Sequence, residues 1–346
     1  MIGDGDPLTD VCSNASIDQV TVASKNIGDL LTAKNITWGA FMGGFNLSLK
    51  NPNGTTGCSR SSAPVANPTA FTPDYIAHHA WFQYFVSTRN PNHARPRSNA
   101  AIGTGYYGGM VPEPANHNYD LQDFYNILNG KLIGANLPAV SYLKAPAYQD
   151  GHAGYSNPLD EQTFLVNTIN ALQNSQYWKN TAVVIMYDDS DGWYDHQMPP
   201  IVNPSFNNTI ISGTRVDILN GGGLCNYSGI GATGHGNQQG TGPTSMFPLN
   251  GTYAARMNGR CGYGTRMPFL LISPFAAQNG IDHTLTDQSS IIRFIEDNWL
   301  NWLNGQRLQP GASFDTIAGP IDNMFDFTRN DGGRLVLDPT TGAVVP

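Results

Sequence analysis

The sequence predicts an α/β fold in which helices cover both faces of a mostly parallel sheet. Helix-like and strand-like periodicities alternate along its 346 residues. The later strand candidates are continuous apolar runs, which are typical of parallel strands covered on both sides. With 40% hydrophobic and 13% charged residues, 38 Gly and 23 Pro, the composition indicates a folded chain with long, turn-rich connections.

The first half of the chain shows a βα rhythm. The pattern predicts a helix over 22–34 and then a strand over 36–42, in "NITWGAFM". A second helix is predicted over 120–129 and a second strand over 139–143. These elements set up parallel pairing, because the chain returns through a helix between strands.

The same rhythm continues in the second half. A helix is predicted over 160–172 and a strand over 181–187, and another strand begins at Arg266 in "RMPFLLISPF". The last helix begins at Thr286, and we expect Thr286 and Asp287 to cap it, with help from the preceding His283. We expect residues 1–346 to form one domain.

Two long loop-rich insertions, 50–118 and 195–265, separate these elements. Loops of this length in a compact domain are usually functional. Because the most polar and histidine-bearing segments lie in or beside them, we expect them to form active-site walls. The tail from Gly311 has little periodicity and is predicted to pack as an extended segment.

Charge excludes several classes of partner. The formal net charge is −8, so no basic face exists for nucleic acid or anionic lipid, and a phosphate-bearing substrate needs local cations. A bound metal would supply them. No apolar window is long enough for stable membrane insertion. The start shows no signal-peptide pattern; since "MIGDGDPLTDVCSN" reads like the middle of a loop, we expect upstream sequence to be missing.

The four cysteines do not form a zinc-binding pattern, because no CxxC or Cys/His spacing occurs. Each lies in loop sequence rich in Gly, Asn and Ser. The sequence favours two local disulfides, Cys12 with Cys58 and Cys225 with Cys261, over free thiols. Such bonds would place the protein outside the cytosol.

The stretch "VVIMYDDSDGWYDHQMPP", residues 183–200, crowds acidic side chains directly after a strand. Asp188 and Asp189 come first, and Asp191, Asp195 and His196 follow in one tight turn. Carboxylate oxygens combined with imidazole nitrogen suit Mn²⁺, Zn²⁺ or Mg²⁺, and a cation would remove the mutual repulsion. The alternative is an Asx-turn with a helix cap.

Two further segments point to the same strand edge. Asp150 and His152 follow the strand over 139–143, and parallel strands end at one edge. His78 and His79 lie among aromatic residues in "YIAHHAWFQYF". The alternatives are a loop histidine satisfied by a carbonyl group for His152, and packing or a helix cap for the histidine pair.

Several stretches together resemble a known family. They are "NIGDLLTAKNITWGAF", "YIAHHAWFQYF", "LPAVSYLKAPAYQDGHAGYSNPLDEQTFLVNTINALQ", "NTAVVIMYDDSDGWYDH", and "GTRMPFLLISPF" followed by "SSIIRFIEDNW". In this order they resemble the bacterial acid phosphatase and phospholipase C family of phosphoesterases, within the alkaline phosphatase superfamily. The resemblance implies a secreted or periplasmic enzyme with an alkaline-phosphatase-like, three-layer αβα fold.

The resemblance also implies a reaction and a set of site residues. In the family, a Ser or Thr attacks phosphorus, a metal holds the oxygens and a histidine protonates the leaving group. Carried over, Asp188 and Asp189 are metal ligands for a divalent ion, namely Mn, Zn, Mg or Ca. The other assignments are catalytic roles for His152, His79 and Asp191, and substrate-binding roles for His78, Asp150 and His196.

The sequence departs from the family pattern at its start. Family members begin with a strand and a Glu-Asn-x-Ser-Phe-Asp type motif, and then carry the nucleophile in a Gly/Ser-rich turn; neither is present here. Ser156 and Ser273 lack the strand–turn–helix setting that activates a nucleophile, and we expect both to be structural. The chain therefore resembles the C-terminal two-thirds of the family domain, without its first strands, and we expect a missing N-terminal segment or chain to complete it.

Three functions stay open at this point. The motif Asp-Asp-Ser-Asp favours an acid-phosphatase-like, metal-dependent phosphomonoesterase acting on a small-molecule phosphate ester. The alternative is a phospholipase C acting on phospholipid headgroups, with Trp81, Phe82, Trp193 and Tyr194 as a choline-binding aromatic cage or as core. The third is a non-catalytic remnant with weak metal or phosphate binding.

Overall fold

A computed structural model describes residues 4–190, 195–196, 210–211, 214–215, 265–300, 315, 318–328 and 333–345. In chain order its strands are β1 (Asp6–Pro7), β2 (Gln19–Val20), β3 (Trp38–Met42), β4 (Ser61–Ser62), β5 (Thr72–Pro73), β6 (Tyr106–Tyr107), β7 (Val111–Pro112), β8 (Asn118–Asp120), β9 (Val140–Lys144), β10 (Val183–Met186), β11 (Ile210–Ile211), β12 (Thr214–Arg215) and β13 (Phe269–Ile272). Its α-helices are α1 (Ile27–Ala33), α2 (Leu121–Leu128), α3 (Pro158–Gln173) and α4 (Ser289–Trp299).

A three-stranded parallel sheet, ordered β8–β3–β9, forms the centre of the fold. The middle strand β3 is buried along its whole length. Met42, its last residue, is in register with Asp120 of β8 and Lys144 of β9. The carboxyl ends of the three strands therefore meet at one edge of the sheet.

Helices cover both faces of this sheet. On one face, Phe41 packs with Phe124 and Ile127 of α2 and with Leu172 of α3. On the other face, the buried side chain of Trp38 packs in a cluster that contains Leu31 of α1 and Ile295 of α4. The prediction of an α/β fold with a covered parallel sheet is thus confirmed at this level, and the alkaline-phosphatase-like layering stays a prediction.

The second apolar strand pair differs from the prediction. β10 and β13 pair with each other in antiparallel orientation, with Val183 opposite Ile272 and Met186 opposite Phe269. A continuous apolar run indicates burial but not direction, so the expected parallel pairing of these two strands was wrong. Val183 and Ile272 pack against the Phe41 cluster, which connects this pair to the main core.

Helix starts are explained by side-chain caps. The Asn26 side chain accepts hydrogen bonds from the backbone N–H groups of Gly28 and Asp29, so α1 begins at Ile27 and not at residue 22. Asp120 caps α2, and Asn157 caps α3 with Pro158 at its first position. Each of the predicted helices is present, with shifted ends.

The strand β8 lies at the end of the predicted loop 50–118. Its residues Asn118, Tyr119 and Asp120 are all buried, although their polar sequence resembles a loop. The buried Arg60 pairs with Asp120 at 3.0 Å between Nη2 and Oδ2, and with Asp74 at 3.2 Å between Nε and Oδ2. These ion pairs hold the preceding loop against the sheet.

The predicted disulfide between Cys12 and Cys58 is present, whereas Cys225 and Cys261 lie outside the described residues. The C-terminal tail packs along α3 as an extended segment: Asn170 and Gln173 donate side-chain hydrogen bonds to the carbonyl oxygens of Leu337 and Leu335, at 2.7 and 2.9 Å. None of the described helices has the length and apolarity needed to cross a bilayer.

Candidate active site

Two strand ends meet in the candidate site. Lys144 is the last residue of β9, and Asp188 follows β10 by two positions. The two strands do not pair with each other, yet Lys144 Nζ lies 3.0 Å from Asp188 Oδ2. Side chains from these two strand ends therefore meet, although the strands lie in different sheets.

Asp150 stands at the centre of the loop that follows β9. Its Oδ1 accepts a hydrogen bond from the backbone N–H of His152 at 3.0 Å, and its Oδ2 lies 3.5 Å from His79 Nδ1. Only 2% of the Asp150 side chain is exposed. Burial raises the pKa of Asp150, while the hydrogen bond from His152 and the charge of Lys144 lower it in part. This carboxyl group links both histidines.

His79 comes from a different part of the chain, the 3₁₀-helix Ala77–His79. Its Nδ1 faces Asp150, and its Nε2 lies 3.4 Å from the hydroxyl group of Tyr155. Burial lowers the pKa of His79 to about 3, and the charges of Lys144 and His78 act in the same direction. At neutral pH the His79 ring is therefore a neutral imidazole.

His152 has a defined tautomer. Its Nδ1 accepts a hydrogen bond from the backbone N–H of Gly154 at 2.9 Å, so the proton of the neutral ring is on Nε2. The ring stacks on Tyr155 at 4.3 Å between centroids. The His152 side chain is exposed, so a bound molecule can reach its ring.

Asp188 is an accessible carboxylate. Burial raises its pKa, but the charge and hydrogen bond of Lys144 outweigh that effect, so the pKa of Asp188 is lowered. Its side chain is 68% exposed. The Gln288 side chain, at the start of α4, donates to the carbonyl oxygens of Tyr187 and Asp188 at 3.0 and 2.6 Å and fixes this strand end.

The chemistry of Asp188 and the neighbouring, exposed Asp189 fits a divalent cation, because hard carboxylate oxygens bind such ions. Their roles as metal ligands stay predictions. Within the described ranges, three metal-ligand atoms approach one another within 4.8 Å at Asp10, Cys12 and His93. That group does not fit a metal, because the Cys12 sulfur is in the disulfide.

The Asp10 carboxylate is instead part of a structural network. It lies 3.0 Å from His93 Nε2 and accepts hydrogen bonds from the Tyr75 hydroxyl group and the Gln83 amide, both at 2.6 Å. His93 Nδ1 donates to the Phe45 carbonyl oxygen at 2.8 Å. The network is buried and connects the N-terminal segment to the first long loop.

Other predicted site residues have different surroundings. His78 lies edge-on to His79, but its Nδ1 faces Asp6 Oδ1 at 3.2 Å. His196 is exposed, and Asp195 beside it forms an ion pair with Arg266, with 2.8 Å between Oδ2 and Nε. Asp191 lies outside the described residues. The predicted roles of His78, His196 and Asp191 stay untested.

The aromatic residues are divided between core and surface. Phe82 is buried and packs on Trp38, with ring centroids 4.6 Å apart, so it belongs to the core. Trp81 is partly exposed. Trp193 and Tyr194 lie outside the described residues, so the proposed aromatic cage has one described, accessible member.

The two serines considered as nucleophiles have structural hydrogen bonds. Ser156 Oγ donates to the Tyr148 carbonyl oxygen at 3.0 Å, and Ser273 Oγ donates to that of Thr181 at 2.9 Å. Sequence reasoning missed Lys144 and Tyr155 as site residues. Lys144 could have been found as the cation at a strand end, whereas the position of Tyr155 depends on a turn that no periodicity indicates.

Comparison with known proteins gives one family and several distant relatives. The sequence profile of the Phosphoesterase family matches residues 4–300. The non-hemolytic phospholipase C of Pseudomonas aeruginosa is 27% identical over 237 residues, which are 67% of this chain and 30% of that protein. The protein of the same name from Burkholderia pseudomallei is 25% identical over 268 residues, 76% of this chain and 32% of its own length.

A mycobacterial protein gives a similar result. Phospholipase C A of Mycobacterium tuberculosis is 25% identical over 205 residues, which are 58% of this chain and 30% of that protein. The chain thus spans about a third of the length of these three relatives.

Proposed function

This chain belongs to the phosphoesterase family, and we propose that it hydrolyses phosphate esters at the sheet edge described above. The observation that carries the proposal is the convergence of three separate segments. The histidine pair, the loop after β9 and the residue after β10 bring His79, Asp150 and Asp188 to one place. A phosphoryl group placed there meets cationic, acidic and imidazole groups together.

His152 is the proposed hydrogen-bond donor to the leaving oxygen, through the Nε2–H of its neutral ring, because its Nδ1 accepts from the Gly154 backbone. Such a donor stabilises the negative charge that develops on the leaving oxygen in the transition state, and the loss of one such donor typically costs about 10²–10³-fold in rate. His79, as a neutral imidazole, is the proposed contact to the phosphoryl group. Asp150 is a positioning residue, since it holds the backbone of His152 and faces His79.

We assign a divalent metal ion to Asp188 and Asp189, with Mn, Zn, Mg and Ca as candidates. Bound by these two carboxylates, such an ion would supply neutralisation of negative charge on the phosphoryl oxygens of the substrate. The nucleophile and the remaining ligands are proposed to come from outside the described residues, because Ser156 and Ser273 are engaged in structural hydrogen bonds.

Two substrate classes are supported by different observations. The acid-phosphatase-like motif that begins at Asp188 favours small phosphomonoesters as substrates. The names of the three relatives favour phospholipid diesters and thus a phospholipase C. A non-catalytic phosphate- or metal-binding chain is the third reading. We also propose an extracytosolic location, which the Cys12–Cys58 disulfide supports.

The test is hydrolysis of p-nitrophenyl phosphate and p-nitrophenylphosphorylcholine by the full chain, with and without Mn²⁺, Zn²⁺, Mg²⁺ or Ca²⁺. We expect metal-dependent turnover that falls by at least about 100-fold in Asp188→Ala and Asp189→Ala. Lys179→Met, a change at an exposed residue before β10, is the control. Full activity of both aspartate variants would refute the ligand assignment, and orthovanadate binding without turnover would favour the third reading.

A further inference from the structure

We propose that Lys144 makes the site selective for doubly charged phosphate monoesters over singly charged diesters. The inference rests on the proposed function and adds to it a residue that decides the substrate class. It starts from the position of one ammonium group among the acidic and imidazole side chains of the site.

Lys144 is held in place by the sheet. It is the last residue of β9, opposite Met42 of β3. Its side chain is only 16% exposed, and its Nζ lies 3.0 Å from Asp188 Oδ2. A lysine side chain is usually mobile, but here the strand and the ion pair hold its ammonium group beside Asp188.

The positive charge of Lys144 reaches several groups of the site. It acts through space on His79 and Asp150 as well as on its ion-pair partner Asp188. In a chain of net charge −8, such a local cation is what an anionic substrate requires.

Asp188 can give up this ion pair at low cost. Its carboxylate is 68% exposed, so water or another cation can replace Lys144 as its partner without leaving a buried, unpaired charge. The ammonium group can then contact a phosphoryl oxygen while it stays at the end of β9. Lys144 thus acts as a binding residue that Asp188 holds ready.

The chemistry of the substrates gives the selectivity. The second pKa of a phosphate monoester is about 6, so the monoester carries close to two negative charges above pH 7. A phosphodiester carries one. Because Coulomb attraction scales with charge, the loss of the ammonium group weakens monoester binding more than diester binding.

The experiment compares phenyl phosphate with its methyl ester, methyl phenyl phosphate, as ligands that differ by one ionisable oxygen. Calorimetric titration at pH 8 gives both dissociation constants. In Lys144→Met we expect about 20-fold weaker binding of phenyl phosphate and, because the ester carries half the charge, only about 4-fold weaker binding of the ester. Lys144→Arg keeps the charge and is expected to keep the preference, and Lys179→Met is the control at an exposed lysine.

The outcomes separate this inference from the proposed function. Equal weakening of both ligands in Lys144→Met, or no weakening in a variant that melts like the wild type, would overturn the role of Lys144. If the wild-type chain still hydrolyses p-nitrophenyl phosphate when either of these results is found, the proposed function survives. If the wild-type chain neither binds nor hydrolyses either ester, both fail. A poorly folded Lys144→Met is replaced by Lys144→Gln in the same titration.

Discussion

Two neighbouring histidines in this site have different roles because their surroundings differ. His79 is buried, and burial lowers its pKa to about 3. His152 is exposed, and its Nδ1 is occupied by the backbone of Gly154. Both were candidates for the acid of the reaction. A ring that stays neutral at acidic pH is a poor acid, so we do not propose His79 in that role, and we propose His152 as the Nε2–H hydrogen-bond donor to the leaving oxygen.

We therefore expect His152→Ala to lower kcat on an aryl phosphate by about 10²-fold or more, with a small change in KM. The lost group is the Nε2–H donor. His283→Ala is a matched control, because His283 is exposed and lies outside the site residues. Steady-state kinetics with a poor and a good leaving group test the assignment. An equal loss with both leaving groups would show that His152 does not donate to the leaving oxygen.

At the scale of the elements, a close approach between two loops positions the site. Gly43 follows β3 directly, and a Cβ atom added there would lie 2.3 Å from the backbone nitrogen of Pro146. Pro146 begins the loop that carries Asp150 and His152. The end of the central strand thus sets the position of the catalytic loop.

Gly43→Ala is accordingly expected to displace Pro146, and we expect a loss of activity of about 10-fold or more together with a lower Tm. The backbone of Pro146 cannot rotate away from the added methyl group as a flexible side chain could. Gly280→Ala is the control, because its added Cβ would meet Ala277 at an ordinary distance of 3.5 Å. Steady-state kinetics and thermal melting of the two variants test this expectation. Unchanged kcat and Tm in Gly43→Ala would contradict this account.

Sequence periodicity predicted β3, β9 and α3 with ends within two residues of those observed. It missed β8, because Asn118 and Asp120 are polar and their burial depends on partners far along the chain. Strand direction also escaped prediction, as β10 and β13 show. Hydrophobicity reports burial, whereas direction depends on the long connection between the strands.

The candidate site, like the fold, was predictable only in part. Asp150, His152, His79 and Asp188 were expected at one edge, because functional residues follow the carboxyl ends of strands. Lys144 and Tyr155 were not expected. Their contacts with Asp188 and His79 arise from tertiary structure, which the order of residues does not show.

For the whole molecule, buried titratable groups link stability to pH. His117 is almost fully buried, and burial lowers its pKa to about 4, although its Nδ1 donates to the Trp38 carbonyl oxygen. His79 behaves in the same way. The pKa of Asp10 is lowered as well: burial raises it, and the hydrogen bond and charge of His93 outweigh that effect. Asp150 acts in the opposite direction, since burial raises its pKa.

Whether stability rises or falls with pH depends on which state, folded or unfolded, takes up the proton. The pKa of an unfolded histidine is near 6.5, so below that pH the unfolded chain binds a proton that native His117 refuses until about pH 4. Stability therefore falls as the pH drops from 6.5 towards 4. Between pH 7 and pH 5, His117 alone accounts for about 2 kcal/mol of the free energy of unfolding.

Urea unfolding at pH 7 and pH 5 measures this loss, and we expect the wild-type chain to be less stable at pH 5. In His117→Gln the difference between the two pH values should shrink by about 2 kcal/mol, whatever the variant loses at pH 7, because glutamine does not titrate. His283→Gln, at an exposed position, should keep the wild-type difference. An unchanged difference in His117→Gln would mean that His117 is protonated in the folded chain.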